Sequence, residues 1–110
     1  MMMLSLKVNP SERDRPQLLG ALRAQRAQTA GIPGCLEFSI LASEEPPGAL
    51  VVLQQWEEER YLRRYLRSDS FQRVLEMMEL SVIPPELNLY EVQTSSGLDA
   101  VVEARSGRST

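Results

Sequence analysis

The amino-acid sequence predicts an α+β domain in which an antiparallel sheet carries its helices on one face. Its 110 residues are a common length for one domain and long enough to bury a core without disulfides or metals. Hydrophobic patterns of period 2 and period 3.6 alternate along the chain, with no internal repeat. The predicted order is strand, helix, strand, strand, helix pair, strand, which is the ferredoxin-like split βαβ arrangement (β-α-β-β-α-β).

The first third of the chain predicts a strand followed by a helix. Residues 2–8 alternate apolar with other side chains, as a half-buried strand does. Asn9 is the expected helix N-cap, and the proline at position 10 suits a first helical turn. Because Pro16 would remove a hydrogen bond from a helix beginning there, we expect a kink or a restart near Asp14.

The middle of the chain predicts a β-hairpin. The segment Gly31-Ile32-Pro33-Gly34 is expected to end the preceding helix, because glycine takes a left-handed cap and proline cannot continue the helix. Leu36, Phe38 and Ile40 alternate with polar residues and predict one strand, and residues 50–56 predict its partner. Since this second strand begins with apolar side chains on both faces, we expect its far face to be covered, most simply by a second copy of the chain.

Two helical stripes and a last strand complete the domain. Apolar side chains recur at helical spacing over residues 62–66 and 71–78, and Ser68 is the expected N-cap between them. A pair of prolines then prevents further helix, and residues 87–93 predict the last strand.

We expect the domain to span residues 1–95 and residues 96–110 to form a partly disordered C-terminal extension. In this extension Leu98, Val101 and Val102 indicate one short amphipathic turn. A polar tail ends the sequence.

The composition excludes several classes of function. The chain has no histidine, which excludes Ser-His and Cys-His nucleophilic pairs, imidazole metal sites and histidine-ligated haem. A net charge of −3 gives no electrostatic reason to expect nucleic acid. Neither a metal-ligand cluster nor a nicotinamide or phosphate-loop motif is present, so we expect no metal and no cofactor. One cysteine and no apolar run near ~20 residues predict a cytoplasmic protein that does not contact a membrane.

A set of short motifs recurs at fixed separations between residues 2 and 94. They are Pro33-Gly34-Cys35-Leu36-Glu37-Phe38, Trp56, Leu62, Tyr65-Leu66-Arg67-Ser68, Phe71 and Pro84-Pro85. In this order and spacing the chain resembles the antibiotic biosynthesis monooxygenase (ABM) domain family, of the dimeric α+β barrel superfamily. The resemblance implies a dimer whose sheets pack face to face, with a pocket in each subunit between sheet and helices. Relatives include quinol and anthrone oxygenases, haem-degrading enzymes and small isomerases.

Three positions depart from the family pattern. Tyr65 occupies the slot where relatives often have histidine, and Gln54 the slot where they often have glutamate. Leu75, four residues after Phe71, occupies the position of the axial histidine in the haem degraders. The resemblance therefore does not extend to haem cleavage.

Tyr65 is the best candidate for a catalytic residue, because a neutral phenol suits a hydrogen-bond donor or a general acid. Trp56 could stack on a planar aromatic substrate, and Gln54, on the same strand face, could orient a substrate carbonyl. By their positions in the family pattern, Phe71 and Leu75 complete the substrate-binding set. The alternatives are core packing for Trp56 and Tyr65, and a bond to a strand neighbour or water for Gln54.

The function predicted from these residues is a cofactor-independent monooxygenase acting on a small aromatic quinol, phenol or anthrone-type substrate. The sequence identifies no general base for it. The alternatives are a non-catalytic dimeric module that binds a small hydrophobic metabolite, and an isomerase of the same fold.

Overall fold

The structure, a computed structural model, describes residues 1–107. Four strands and four helices follow one another in this part of the chain, and their order confirms the predicted α+β fold. The strands are β1 (Met2–Val8), β2 (Cys35–Ala42), β3 (Leu50–Trp56) and β4 (Glu86–Glu91), and the helices are α1 (Arg15–Thr29), α2 (Glu59–Leu66), α3 (Asp69–Met78) and α4 (Leu98–Arg105).

The strands form one antiparallel sheet in the order β2-β3-β1-β4. Side chains alternate across a strand, so the register divides the sheet into two faces. We call inner the face that α1, α2 and α3 cover, and the core lies between this face and the helices. Its strand residues include Leu4, Leu6, Val8, Phe38, Leu50, Val52, Gln54 and Trp56.

The opposite, outer face is apolar at its centre and remains half-exposed. Leu53 of β3 pairs with Ser5 of β1 and Ser39 of β2 on this side of the sheet. Together with Met3, Val51, Leu41 and Tyr90 it gives the outer face an apolar area flanked by polar and charged side chains.

The start of α1 differs from the predicted cap. Asn9 does not cap the helix: its N–H donates to Ser81 Oγ (2.9 Å) and its carbonyl accepts from the N–H of Val82 (2.8 Å). The helix begins at Arg15 with a proline in its first turn, which confirms the predicted restart near Asp14. Asn9 therefore ties the end of β1 to the segment that leads into β4.

The helix ends before the predicted segment 31–34, but the cap of α1 and the start of β2 differ from the prediction. The left-handed backbone lies at Gly34 (φ +87°), whereas Gly31 is not left-handed and α1 ends through a right-handed Ala30. A register shift between Cys35 and Glu37 turns Leu36 outward, so it is 55% exposed instead of alternating inward with Phe38. A bulge of this kind reverses the side to which a residue points.

The predicted cap at Ser68 is present, whereas the C-terminal extension forms a longer helix than predicted. The Ser68 hydroxyl accepts a hydrogen bond from the N–H of Phe71 (3.2 Å), which confirms the predicted N-cap of α3. The apolar residues after position 97 lie on α4, an eight-residue helix rather than one turn, and none of them is buried. The end of the predicted polar tail, residues 108–110, lies outside the described residues, and the division at residue 95 stays a prediction.

Candidate functional site

The candidate site is the end of the inner face where β3 stops. Gln54 and Trp56 are two residues apart on β3, so both side chains point from the same face toward the helices. Trp56 lies opposite Met2 and Cys35 in the neighbouring strands. Both side chains are buried, at 1% and 0% exposure.

Helix α2 places Tyr65 directly over Trp56. Only two residues separate the end of β3 from α2, so the helix returns at once across the inner face. The two rings are stacked, with centroids 4.9 Å apart and planes at 28°. Phe71 of α3 meets the edge of the Tyr65 ring at 5.4 Å and 68°. The sequence-predicted residues Trp56, Tyr65 and Phe71 therefore form one aromatic cluster.

A chain of hydrogen bonds connects the polar atoms of this cluster. The Trp56 indole N–H donates to Gln54 Oε1 (3.0 Å), and Gln54 Nε2 donates to the Tyr65 hydroxyl (3.4 Å). Both ends of the Gln54 amide thus have protein partners. One partner is Trp56, on the same strand, and a bond to a strand neighbour is the alternative that the sequence left open for Gln54. The long Gln54–Tyr65 bond is the weaker of the two links.

Burial fixes the protonation state of Tyr65. It raises the pKa of the phenol above its ordinary value, and the hydrogen bond from the Gln54 amide offsets this only in part. Tyr65 is therefore neutral at physiological pH. A neutral phenol can donate a hydrogen bond or a proton, but it cannot serve as a base.

Helix α1 contributes two buried polar residues that the sequence did not identify as part of the site. Gln25 and Thr29 are 2% and 0% exposed, and the Thr29 hydroxyl donates to the Gln25 backbone carbonyl (2.7 Å). Both continue the stripe of Leu18 and Leu22, so they were visible as polar residues in buried helical positions. Polar residues at buried positions of a helix were therefore the sequence signal that could have identified them.

Leu75 does not join the cluster. It is 41% exposed, whereas Phe71 and Val74 on the same helix are buried. At 100° per residue, Phe71 and Val74 centre the buried stripe and Leu75 falls at its edge. The expectation that it lines the same pocket is therefore not supported by its position.

The aromatic cluster and its hydrogen-bonded partner Gln54 leave no opening to solvent, since Trp56, Gln54 and Tyr65 are each at most 1% exposed. A groove of about 400 Å³ opens nearby between the end of α1 and the start of β2, and its lining includes Arg26 and Cys35 but none of those three residues. A ligand that contacts the cluster must therefore displace one of its members.

Two further properties concern residues 1–107. No three Cys, Asp or Glu side chains in this range come together in a group that could hold a metal ion. No helix in the same range has both the length and the apolar character needed to cross a bilayer.

Comparisons with known proteins identify the fold and the family. The family model for antibiotic biosynthesis monooxygenases matches residues 1–77, and no curated protein matches the chain. A candidate antibiotic biosynthesis monooxygenase from Deinococcus radiodurans superposes with a TM-score of 0.79 at 17% identity, over 88% of this chain and 97% of its own.

Two other solved structures are similar to a comparable degree. A Mycobacterium tuberculosis protein gives a TM-score of 0.77 at 18% identity, over 87% of this chain and 98% of its own. A conserved protein from Methanosarcina mazei gives a TM-score of 0.75 at 20% identity, over 84% of this chain and 92% of its own. At these identities the likeness shows a shared fold.

Proposed function

Because this chain belongs to the antibiotic biosynthesis monooxygenase family, we propose that it is a cofactor-independent monooxygenase of a small aromatic quinol, phenol or anthrone-type substrate. The observation that carries the proposal is the buried Trp56–Gln54–Tyr65 chain on the inner face of the sheet. It combines a large aromatic surface with a neutral phenol and an amide, and its residue types match an aromatic, oxygen-bearing ligand.

The oxygen chemistry needs no metal, flavin or nicotinamide, although it needs a proton acceptor that none of Trp56, Gln54 and Tyr65 supplies. Electron-rich aromatic substrates of this class form stabilised carbanions that reduce dioxygen themselves. For an anthrone-type methylene the balance is CH₂ + O₂ → C=O + H₂O, so no external reductant is required. The protein has to bind the substrate, exclude water and hold the reacting atoms in place.

Trp56, Gln54 and Tyr65 each have a role in this proposal. The substrate ring displaces Tyr65 from the face of Trp56 and stacks on the indole. The Tyr65 phenol donates a hydrogen bond to the oxygen on which negative charge develops. Gln54 keeps its bond to the Trp56 indole and orients the substrate oxygen with its Nε2.

Oxygen uptake by the purified, metal-stripped protein tests the proposal against a panel of quinols, anthrones and catechols. We expect saturable uptake with one substrate class, lowered at least tenfold by Tyr65→Phe, about 1.4 kcal/mol of transition-state stabilisation. Tyr61→Phe is the matched control, because the Tyr61 hydroxyl bonds the exposed Arg60 instead of the cluster. No uptake across the panel, or an equal loss in both variants, would contradict the proposal.

A second candidate function is favoured by the lack of a base among the site residues, since Tyr65 is a neutral phenol and Gln54 an amide. Such residues suit a non-catalytic module that binds a small hydrophobic metabolite. Trp56, the only tryptophan, reports such binding by its fluorescence. Saturable quenching without oxygen uptake would favour the module, and quenching with uptake the enzyme.

The proposal includes a homodimer formed through the outer faces of two sheets. Its support is the apolar centre of that face, where Leu53 and Val51 are half-buried and Leu41 and Tyr90 are 46% and 49% exposed. Contiguous apolar surface of this kind marks an interface on a folded domain. A two-fold dimer covers the same area on both copies at once.

A further inference from the structure

Helix α4 leaves its apolar side chains uncovered. Leu98, Val101 and Val102 recur at helical spacing and form one stripe, yet they are 77%, 53% and 61% exposed, and no residue of the helix is buried. The radius of gyration is 16.3 Å, against roughly 13 Å for a compact chain of this length. Because a short helix gains most of its stability by packing, α4 requires a surface to lie on.

The groove between the end of α1 and the start of β2 offers such a surface. Its volume is about 400 Å³, and its lining includes Ala27, Ala30 and Leu36. The bulge at the start of β2 turns Leu36 outward, where it is 55% exposed. Strand β2 is also an edge of the sheet, and folded proteins commonly cover such an edge with a helix or a loop.

The charges of the helix and the groove are complementary. Arg26 lines the groove and takes part in neither of the ion pairs found within residues 1–107, which both join residues of the segment 58–63. On α4, Asp99 and Glu103 lie one turn apart, on the side of Val102. When the apolar stripe faces the groove, these carboxylates lie at its border and Arg26 is the cation they meet there.

A second copy of the chain brings the groove to the end of β4. In one chain β4 and β2 are opposite edges of the sheet, and α4 does not line the groove. In a dimer formed through the outer faces, a two-fold axis along the strands places β4 of one sheet over β2 of the other, about 10 Å away. The last residue of β4 pairs with Met2, and Met2 and Cys35 both pair with Trp56, so the end of β4 and the groove are at the same end of the sheet.

The connection to α4 is long enough for this crossing. Residues 93–97 lie between the end of the sheet and the helix, and five extended residues span at most about 18 Å. That length exceeds the separation of two packed sheets.

From these observations we propose that α4 of each chain docks in the groove between α1 and β2 of a second copy, so that the dimer exchanges its two C-terminal helices. The stripe of α4 then packs on Leu36 of the partner subunit, and Glu103 pairs with Arg26 of the partner subunit. The inference rests on the proposed homodimer and is independent of the oxygen chemistry. It adds a contact outside the sheet faces.

Disulfide cross-linking between two kinds of chain tests this contact. One chain carries Cys35→Ser and Val102→Cys, so that its thiol is on α4, and the other is the parent chain, whose one thiol lines the groove. After subunit exchange and mild oxidation with oxidised glutathione, mass spectrometry identifies the linked peptides. Ala100→Cys, about 160° around the helix from Val102, is the matched control. We expect at least tenfold faster cross-linking with Val102→Cys, and equal rates overturn the inference.

The same thiols distinguish exchange from docking within one chain. A Val102→Cys chain that keeps Cys35 should form disulfide-linked dimers. An internal disulfide in a single chain would show that α4 folds back on its own groove, and would overturn the inference.

Charge exchange assigns the orientation of the helix. We expect Arg26→Glu and Glu103→Arg each to raise the dimer dissociation constant at least fivefold in analytical ultracentrifugation, because each dimer contains the pair twice. The two changes together should restore it to within about twofold of the parent value. Arg64→Glu, on the exposed side of α2, should leave it unchanged. A combined variant that dimerises no better than the single variants contradicts the docking.

The outcome is separable from that of the proposed function. Specific cross-linking without oxygen uptake upholds the inference and contradicts the monooxygenase. A dimer that Leu53→Lys disrupts, but in which Val102→Cys and Ala100→Cys cross-link equally, upholds the outer-face interface and overturns the inference.

Discussion

The inner and outer faces of the sheet carry similar apolar side chains but differ in what covers them. On β3, Val52 points inward and is 1% exposed, whereas the adjacent Leu53 points outward and stays half-exposed. Helices α1, α2 and α3 cover the inner side chains, and within this layer Gln54 pairs with both Trp56 and Tyr65. The comparison teaches that the inner face is covered within one chain, while the outer face is left open to the proposed dimer partner.

The strongest way to break the inner face is to displace α2 from it. Gly34 has φ +87°, and a Cβ added there would lie 2.2 Å from Cγ of Tyr61 on α2. Because backbone strain and the clash add, we expect Gly34→Ala to lower the free energy of unfolding by about 2–5 kcal/mol, measured by urea denaturation.

The control for that change is another glycine-to-alanine substitution. Gly20 lies inside α1, where an added Cβ meets nothing within 4 Å. Gly20→Ala should raise stability by about 0.5–1 kcal/mol, because alanine is the better helix former. If Gly34→Ala were as stable as the parent protein, Gly34 would not determine how α2 lies on the sheet.

An intermediate effect is expected from a charge on the outer face. Leu53→Lys places an ammonium group at the centre of the apolar area, where a dimer would bury it without a partner. We expect the dimer dissociation constant to rise at least tenfold, about 1.4 kcal/mol, as measured by analytical ultracentrifugation. The far-UV circular dichroism should be unchanged, because the inner core is not altered.

Gln17→Lys adds the same charge to the exposed side of α1 and should leave the dimer intact. If Leu53→Lys dimerised as tightly as the parent chain, the outer face would not be the interface.

The smallest expected effect concerns pH and sharpens the description of the inner face. The pKa of Tyr65 is raised by burial, so as pH rises past about 10 the unfolded chain loses this proton before the folded chain does. The stability contributed by the neutral phenol is complete below that pH and declines as pH rises through the folded pKa.

The measurement is the free energy of unfolding of the parent protein minus that of Tyr65→Phe, from pH 8 to pH 11. This difference should be constant at the low end and fall at the high end. A difference that does not change with pH would mean that the Tyr65 hydroxyl is not buried in the folded protein.

The predictions from local pattern succeeded where the physical cause was local. The period-2 run of β1, the restart of α1 around Pro16 and the Ser68 cap each depend on a few neighbouring residues, and each is present. The errors at Asn9 and Leu36 have distant causes. Asn9 bonds residues more than 70 positions away, and Leu36 turns outward because β2 pairs with β3 through a bulge.

The candidate site shows the same division. That Gln54 and Trp56 share a face follows from their spacing alone. The stacking of Tyr65 on Trp56 and the hydrogen bond from Gln54 to Tyr65 required α2 to return across the inner face. The helical stripe grouped Leu75 with Phe71, and only the packing of α3 showed that Leu75 lies at its edge.

The sequence by itself determined the order of the elements, the face to which most side chains point and the absence of histidine chemistry, since these depend on composition and on the fixed periods of helix and strand. Only the tertiary structure decided that Gln54 joins Trp56 to Tyr65, and that Asn9 binds Ser81 instead of capping α1. These features depend on how α2 packs over β3 and on how the end of β1 meets the segment before β4, and no local period specifies which atoms then meet.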